Sequence, residues 1–555
     1  MIALSYIIRS GDDQMIKAGK KLDMLFFAMV VVLVLAYTVS IFSVNFGGRA
    51  FNDFDMYSDS VLAKYMWSEK TLFPDGWHFG NQIYVVATPA LAGCLYPLVG
   101  ETYASLAIAS CLMTLFVMGS FLWCVKPFLS SRSACVGLLV LIGGMKIGVT
   151  AHKGLEGLQL FYTMASYYAC YIIGIFLTLG VYNRYLQKIS LRKGTLTAVL
   201  LLNFALGMQS LREMLVLNLP LCALVLCQIL ASGKRGFDPC RKKTGLFTLG
   251  ALLFNALGLL TSKLLAANGV FVQSDILQET QPGIWENVAV SVSALTEYIG
   301  LLPPADVFGM FRFAVGVMSV AAVAVALVLA LKDCVDKKAS VLALNILFFA
   351  ISLLAVFCAG LLVIRIRSIY FFCWYLMVTV CVAYLLERNR WGAPGIVLKR
   401  LLILAIISIS IINYNYLFRY SYVQLKTAGA FYGQIVQQLR EDGIRYLYTD
   451  AFSEQSMIAT MSHDEITYAI QNFSGDPEDL WENVAYLYHE DWYAPENYDD
   501  AYVLLTDRTL NRLEGFSTEY KEVFLENLQL KYEFAGNGTI VYLYQGTEKM
   551  YHDMG

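Results

Sequence analysis

The sequence is short of charged residues. Only 15% of its 555 residues are charged and 57% are hydrophobic, whereas a soluble chain carries about 25% charged residues. Repeated apolar runs of roughly 20 residues, each long enough to span a bilayer core, account for the difference. These runs exclude a soluble fold for the first four hundred residues, and we predict an α-helical polytopic membrane protein with a small C-terminal α/β domain.

Metal-binding and nucleotide-binding motifs are also missing. All twelve cysteines lie at or before Cys381, most of them inside apolar runs, where free cysteine packs as a small hydrophobe. The sequence contains no C-x-x-C, no Walker A, no G-x-G-x-x-G and no H-E-x-x-H pattern. Zinc-finger, P-loop, dinucleotide-binding and zinc-protease chemistry therefore have no support.

Basic residues become rare after residue 440. Residues 441–555 hold 23 acidic and 6 basic side chains, while residues 1–440 hold 20 and 35. This shift predicts a cytoplasmic segment 1–23, a transmembrane domain 24–418 and a soluble domain 419–555. A soluble domain this acidic would repel the phosphates of nucleic acid, which argues against nucleic-acid binding.

Apolar length and flanking charge predict about eleven spans. They lie near residues 24–44, 103–125, 135–149, 161–182, 196–208, 214–231, 245–265, 311–331, 340–363, 369–386 and 401–418. The segment 82–99 is apolar but contains Pro89 and Pro97, which favours a re-entrant or interfacial segment.

The distribution of lysine and arginine orients these spans. The loop 266–310 contains neither residue, and cytoplasmic loops are enriched in both. We therefore predict an integral plasma-membrane protein with a cytoplasmic N-terminus. The loops 45–101 and 266–310 and the domain 419–555 should then share the outer face.

The domain 419–555 shows alternating strand and helix patterns. RYLYTDAF (445–452) and AYVLLTDR (501–508) are typical of strands, and a hairpin is expected at residues 535–538. Amphipathic helical patterns cover residues 429–442 and 509–528. A small α/β domain fits this order.

The first outer loop concentrates carboxylates. Asp53, Asp55 and Asp59 lie within seven residues. Asp59 opens an amphipathic pattern, which predicts that it caps a helix lying at the membrane interface with its apolar face in lipid. Asp53 and Asp55 should then sit just above the acyl boundary, although solvated loop acids or, for Asp59, a pure capping role remain alternatives.

This architecture resembles the GT-C superfamily of membrane glycosyltransferases, which includes protein O-mannosyltransferases and the aminoarabinose transferases of lipid A. Members carry an acid in the first outer loop, often in the pattern D-x-x-Y-x-x-x-A-x-x-x-x-x-G. In DFDMYSDSVLAKYMWSEK, Asp55 matches that acid best by its distance to Ala63, with one residue of offset, and no glycine stands at the position where the pattern ends in one. The resemblance implies a bacterial enzyme of inverting type at the outer face of the membrane.

The resemblance also implies the substrates and the roles of individual residues. Sugar would pass from a polyprenyl-phosphate donor to an envelope glycan, lipid or protein, with Asp55 as the base and Asp53 supporting it. Cations should hold the lipid phosphate. The candidate substrate-binding residues are Arg365, Arg367, Arg212, Lys153, His152, His78 and Asp59.

Rival interpretations remain open. Arg365 and Arg367 could be snorkelling anchors, and Arg212 could form an ion pair with Glu213 or with a neighbouring helix. The chemistry requires no metal, but Asp53 and Asp55 could bind Mg²⁺ or Mn²⁺. A transporter or flippase of an envelope precursor is the main alternative function, and a membrane-anchored binding protein is a third.

Overall fold

Helices dominate the fold, as the apolar runs predict. The computed structural model describes residues 2–51, 54–144, 168–231, 239–274, 283–304, 307–336, 340–362, 366–388, 392–415, 420–451, 453, 455–482, 484 and 486–552. Within these ranges 8 helices are long and apolar enough to cross a membrane, which makes the chain an integral membrane protein. Their bounds are Lys21–Gly47, Thr102–Val125, Ala169–Leu186, Lys242–Ala267, Gly309–Val335, Val341–Leu362, Ser368–Glu387 and Gly395–Tyr414.

These eight helices coincide with eight of the eleven predicted spans. Shorter apolar helices cover residues 88–99, 131–143 and 214–230. The first of these is the proline-containing segment that the sequence predicts not to span, and Pro97 lies inside it.

The long and short helices together form one series. In chain order they are α1 (Ile2–Gly47), α2 (Phe54–Ser68), α3 (Thr88–Val99), α4 (Thr102–Val125), α5 (Ser131–Leu139), α6 (Ala169–Leu186), α7 (Lys193–Gln209), α8 (Leu219–Ala231), α9 (Pro239–Ala267), α10 (Ile284–Ile299), α11 (Val307–Val335), α12 (Val341–Leu362), α13 (Cys373–Glu387), α14 (Gly392–Tyr414), α15 (Tyr420–Glu441), α16 (Met457–Met461), α17 (Asp507–Leu513), α18 (Thr518–Glu526) and α19 (Glu548–His552). A π-helical turn, Met214–Asn218, leads into α8, and a 3₁₀ turn, Ser368–Phe372, leads into α13.

In the described part of the chain, nine strands accompany the helices. They are β1 (Trp77–Phe79), β2 (Val272–Gln273), β3 (Tyr446–Asp450), β4 (Thr467–Phe473), β5 (Trp481–Glu482), β6 (Tyr488–His489), β7 (Ala501–Thr506), β8 (Leu528–Gly536) and β9 (Thr539–Gly546). Six of them form the C-terminal sheet in the order β5-β4-β3-β7-β9-β8. The β8–β9 hairpin turns at Asn537 and Gly538, whose φ angles of +50° and +77° suit the asparagine-glycine pair. The predicted α/β domain is therefore confirmed.

A second, small sheet joins three distant parts of the chain. β1 pairs in parallel with β2 and antiparallel with β6, so that His78 stands opposite both Val272 and Tyr488. β1 belongs to the first predicted outer loop, β2 to the second and β6 to the C-terminal domain. The three segments therefore lie on the same side of the helical bundle.

Further contacts attach the C-terminal domain to the ends of α1 and α4. Arg49 forms an ion pair with Glu101 and donates to the Thr460 carbonyl at 3.1 Å. Asp464 accepts the backbone N–H of Thr102 at 2.9 Å. These contacts and the small sheet together hold the domain on the bundle.

The prediction for the helix of the first outer loop is wrong in two respects. Helix α2 begins at Phe54, so Asp59 lies in its second turn and cannot cap it. The apolar face is covered by protein instead of lipid, because α2 packs against α3 and α4. Gly93 permits this approach, since a Cβ atom there would lie 3.2 Å from the Cβ of Met66.

Candidate functional site

A cavity of about 860 Å³ lies between the C-terminal ends of α9 and α12. Its apolar wall comes from both helices, and the segment 269–274 of the second loop covers it. The lining residues described by the structure include two cations, Arg212 and Lys263, and no carboxylate. They are Asn81, Met208, Gln209, Ser210, Leu211, Arg212, Leu215, Val216, Leu259, Ser262, Lys263, Ala266, Gly269, Phe271, Val272, Gln273, Ser274, Val356, Ala359, Ile366 and Tyr370.

Arg212 is surrounded by aromatic rings. Its guanidinium carbon lies 4.7, 5.2 and 5.7 Å from the ring centroids of Tyr168, Tyr171 and Tyr370. Such contacts stabilise a cation away from water and fix the plane of the guanidinium. The structure thus presents a pre-oriented positive charge at the cavity wall.

The rival role for Arg212, an ion pair with Glu213, is not observed. Glu213 is fully buried next to Gly174, and neither of its carboxylate oxygens has a hydrogen-bond partner among the described residues. The two neighbouring side chains therefore occupy separate environments. The charge of Arg212 faces the cavity without a carboxylate from the described part of the chain to neutralise it.

Lys263 is the cation that sequence reasoning missed. It is exposed, lies near the C-terminal end of α9 and lines the cavity with Arg212. Its signal was present in the sequence, because an ionisable residue at the end of an apolar run is costly and often functional. Two cations beside an apolar wall make this cavity suitable for an amphiphile with an anionic head.

A polar network ties Arg212 to the loop 45–101, the first predicted outer loop. The side-chain oxygen of Gln82 accepts hydrogen bonds from Arg212 Nη1 and from the Tyr171 hydroxyl, both at 3.0 Å. Gln209 accepts the backbone N–H groups of Val85 and Val86 at 3.4 Å. The segment 82–86 is therefore fastened directly onto the wall of the cavity.

The carboxylates lie close to that same segment. Tyr84 is buried, and its hydroxyl is next to the Asp59 carboxylate, with Asp55 also near enough to interact electrostatically. Burial, reinforced by Asp59, Tyr486 and Asp55, raises the pKa of Tyr84 well above its ordinary value. The segment thus contacts the cation through Gln82 and the acids through Tyr84.

The remaining predicted residues are placed as follows. Arg367 is exposed and stands between Ile366 and Tyr370, which both line the cavity. His78 lies at the domain junction, where its ring stacks on that of Tyr488 with 4.3 Å between the ring centroids. Its Nε2 atom is 2.9 Å from Oε1 of Glu490. The predictions for Asp53, Arg365, His152 and Lys153 fall outside the described residues.

Across the described ranges, no group of three or more histidine, cysteine, aspartate or glutamate side chains could hold a metal ion. Asp53, the proposed partner of Asp55 in binding a cation, is not among these residues. The predicted role of the two acids in binding Mg²⁺ or Mn²⁺ therefore stays a prediction.

Comparisons with known proteins find a likeness among solved structures. No protein-family model and no curated protein matches the chain. Among solved structures, the chain is similar to the crystal structure of ArnT from Cupriavidus metallidurans in the apo state. The identity is 10%, the match covers 95% of this chain and 98% of that chain, and the TM-score is 0.42.

Proposed function

We propose that this protein is a membrane glycosyltransferase that takes a sugar from a polyprenyl-phosphate donor and gives it to an envelope acceptor at the outer face of the membrane. The observation that carries the proposal is the cavity between α9 and α12. It combines an apolar wall with two cations and is connected through residues 82–86 to Asp55 and Asp59. The GT-C-like pattern around Asp55 in the sequence points the same way.

The donor fits the two chemical halves of the cavity. The polyprenyl chain would lie against Leu259, Ala266, Val356 and Ala359, all of which line it. The phosphate would meet Arg212, whose planar fork can bind two phosphate oxygens at once, and Lys263, which acts as a point charge. The lipid phosphate is an ionised leaving group, so the reaction needs cations there and no general acid.

The acids would act on the acceptor. Asp55 takes the proton of the acceptor hydroxyl as its oxygen bonds to the anomeric carbon. The bond between that carbon and the phosphate oxygen breaks, and polyprenyl phosphate leaves with the electron pair. Negative charge from Asp55 and Asp59 also favours a transition state with oxocarbenium character.

The test uses the full chain in lipid nanodiscs with a panel of sugar-labelled polyprenyl phosphates. We expect release of free polyprenyl phosphate from one of these donors when an acceptor fraction from cell envelope is added. Parallel reactions with EDTA determine whether a divalent cation takes part. Movement of intact donor across liposomes without cleavage of any donor would support the flippase alternative and refute the transferase.

A further inference from the structure

Among the described residues, Gln82 is the one side chain that accepts a hydrogen bond from the guanidinium of Arg212. It is buried, with 6% of its surface exposed. Its oxygen accepts from Arg212 and from Tyr171, while Tyr171 is also bonded to Ser210 at 2.7 Å. The orientation of the arginine is therefore set from the first outer loop as well as from the aromatic rings around it.

The same stretch of backbone reaches the acids. Tyr84, two residues further on, lies next to Asp59 and near Asp55. Two residues span at most about 7 Å of chain, so the backbone segment that holds the cation also carries Tyr84 near the acids. Gln209 fixes the stretch from the other side by accepting the backbone N–H groups of Val85 and Val86.

We propose that Gln82 is a positioning residue that sets the place and the plane of Arg212, the phosphate-binding cation. It acts through Arg212 and does not touch the reacting atoms. The inference rests on the proposed function, because it assumes that Arg212 binds the donor phosphate. It adds that the outer loop, and not the helical bundle alone, determines where that phosphate sits.

An isosteric change separates this role from a structural one. Gln82→Glu keeps the size and the acceptor oxygen, but places a carboxylate beside Arg212 Nη1. A carboxylate competes with phosphate for the guanidinium fork, so we expect the Kd for polyprenyl monophosphate to rise roughly tenfold or more. Thermal stability should stay equal or increase, because a charged pair replaces a neutral acceptor.

The measurement is tryptophan fluorescence of the full chain in nanodiscs, titrated with polyprenyl monophosphate and, separately, with the uncharged polyprenol. Gln529→Glu is the matched control, since Gln529 is exposed on β8 and is not among the residues that line the cavity. We expect Gln82→Glu to bind polyprenyl monophosphate more weakly than the unaltered chain does and to bind polyprenol equally well. Gln529→Glu should bind both lipids like the unaltered chain.

Two results would overturn the inference in distinguishable ways. If Gln82→Glu binds the phosphate as tightly as the unaltered chain, Gln82 merely supports the fold and the proposed function is untouched. If the unaltered chain itself prefers polyprenol or binds neither lipid, the donor site fails and the role of Gln82 fails with it.

Discussion

Arg212 offers the most quantitative prediction. Its Nη1 atom already donates to Gln82 at 3.0 Å, and three tyrosine rings surround the guanidinium. The remaining N–H groups can still give a phosphate two parallel hydrogen bonds. At about 1.5 kcal/mol for each bond to a charged group, Arg212→Gln should lose about 3 kcal/mol, or roughly 150-fold in the Kd for polyprenyl monophosphate.

Arg212→Lys keeps the charge and loses the fork, so a loss of roughly tenfold is expected. Binding is measured by titration of the purified variants in nanodiscs, with gel filtration and thermal unfolding to show that each is folded. Arg367→Gln provides the comparison, because Arg367 is exposed and is not among the residues that line the cavity. The reasoning is refuted if Arg212→Gln binds normally while Arg367→Gln does not.

Three further predictions address neighbouring features. Tyr84→Phe removes the hydroxyl beside Asp59; steady-state kinetics should show turnover slower by about 3- to 10-fold, the worth of one hydrogen bond, with lipid binding unchanged. Burial lowers the pKa of His489 from 6.5, so its neutral form stabilises the domain junction above pH 6.5, and this stability falls as the pH decreases towards the folded-state pKa. The midpoint of thermal unfolding, measured between pH 5 and 8, should depend less on pH in His489→Phe than in the unaltered chain. An equal dependence on pH would contradict this prediction. Cysteines at positions 75 and 500 should react with an impermeant reagent from the same side of the membrane, and labelling from opposite sides would refute the shared face.

The sequence was sufficient to predict the eight long apolar helices and the C-terminal domain. Apolar length alone locates the long helices, and the asparagine-glycine turn at residues 537–538 locates the last hairpin. The single helical pattern predicted at 509–528, however, corresponds to two helices. Helix α17 ends before Gly515, and α18 begins after it. Local patterns therefore identify elements well and their breaks less well.

The surroundings of α2 could not be predicted in the same way. Its apolar residues would be equally stable against lipid or against other helices, so hydrophobicity alone does not distinguish the two. Packing against α3 depends on Gly93, and the position of the N-terminus at Phe54 converts Asp59 from a cap into a buried acid. These features arise from contacts between separate elements, which no local pattern encodes.

The same limit applies to the site. Arg212 is a candidate because it interrupts an apolar region, but the rings around it come from the start of α6 and from the 3₁₀ turn before α13. His78 looked like a substrate ligand, whereas its stacking partner, Tyr488, lies more than four hundred residues away. Long-range pairing of this kind separates junction residues from cavity residues.

The proposed function requires this chain to cleave a polyprenyl-phosphate donor with Asp55 as the base. Asp55→Asn keeps the size of the side chain and removes its charge. Release of polyprenyl phosphate should slow by roughly 10²–10⁴-fold, the usual contribution of a positioned base, while binding of polyprenyl monophosphate stays at the level of the unaltered chain. An Asp55→Asn protein that releases polyprenyl phosphate at the unaltered rate would contradict the account.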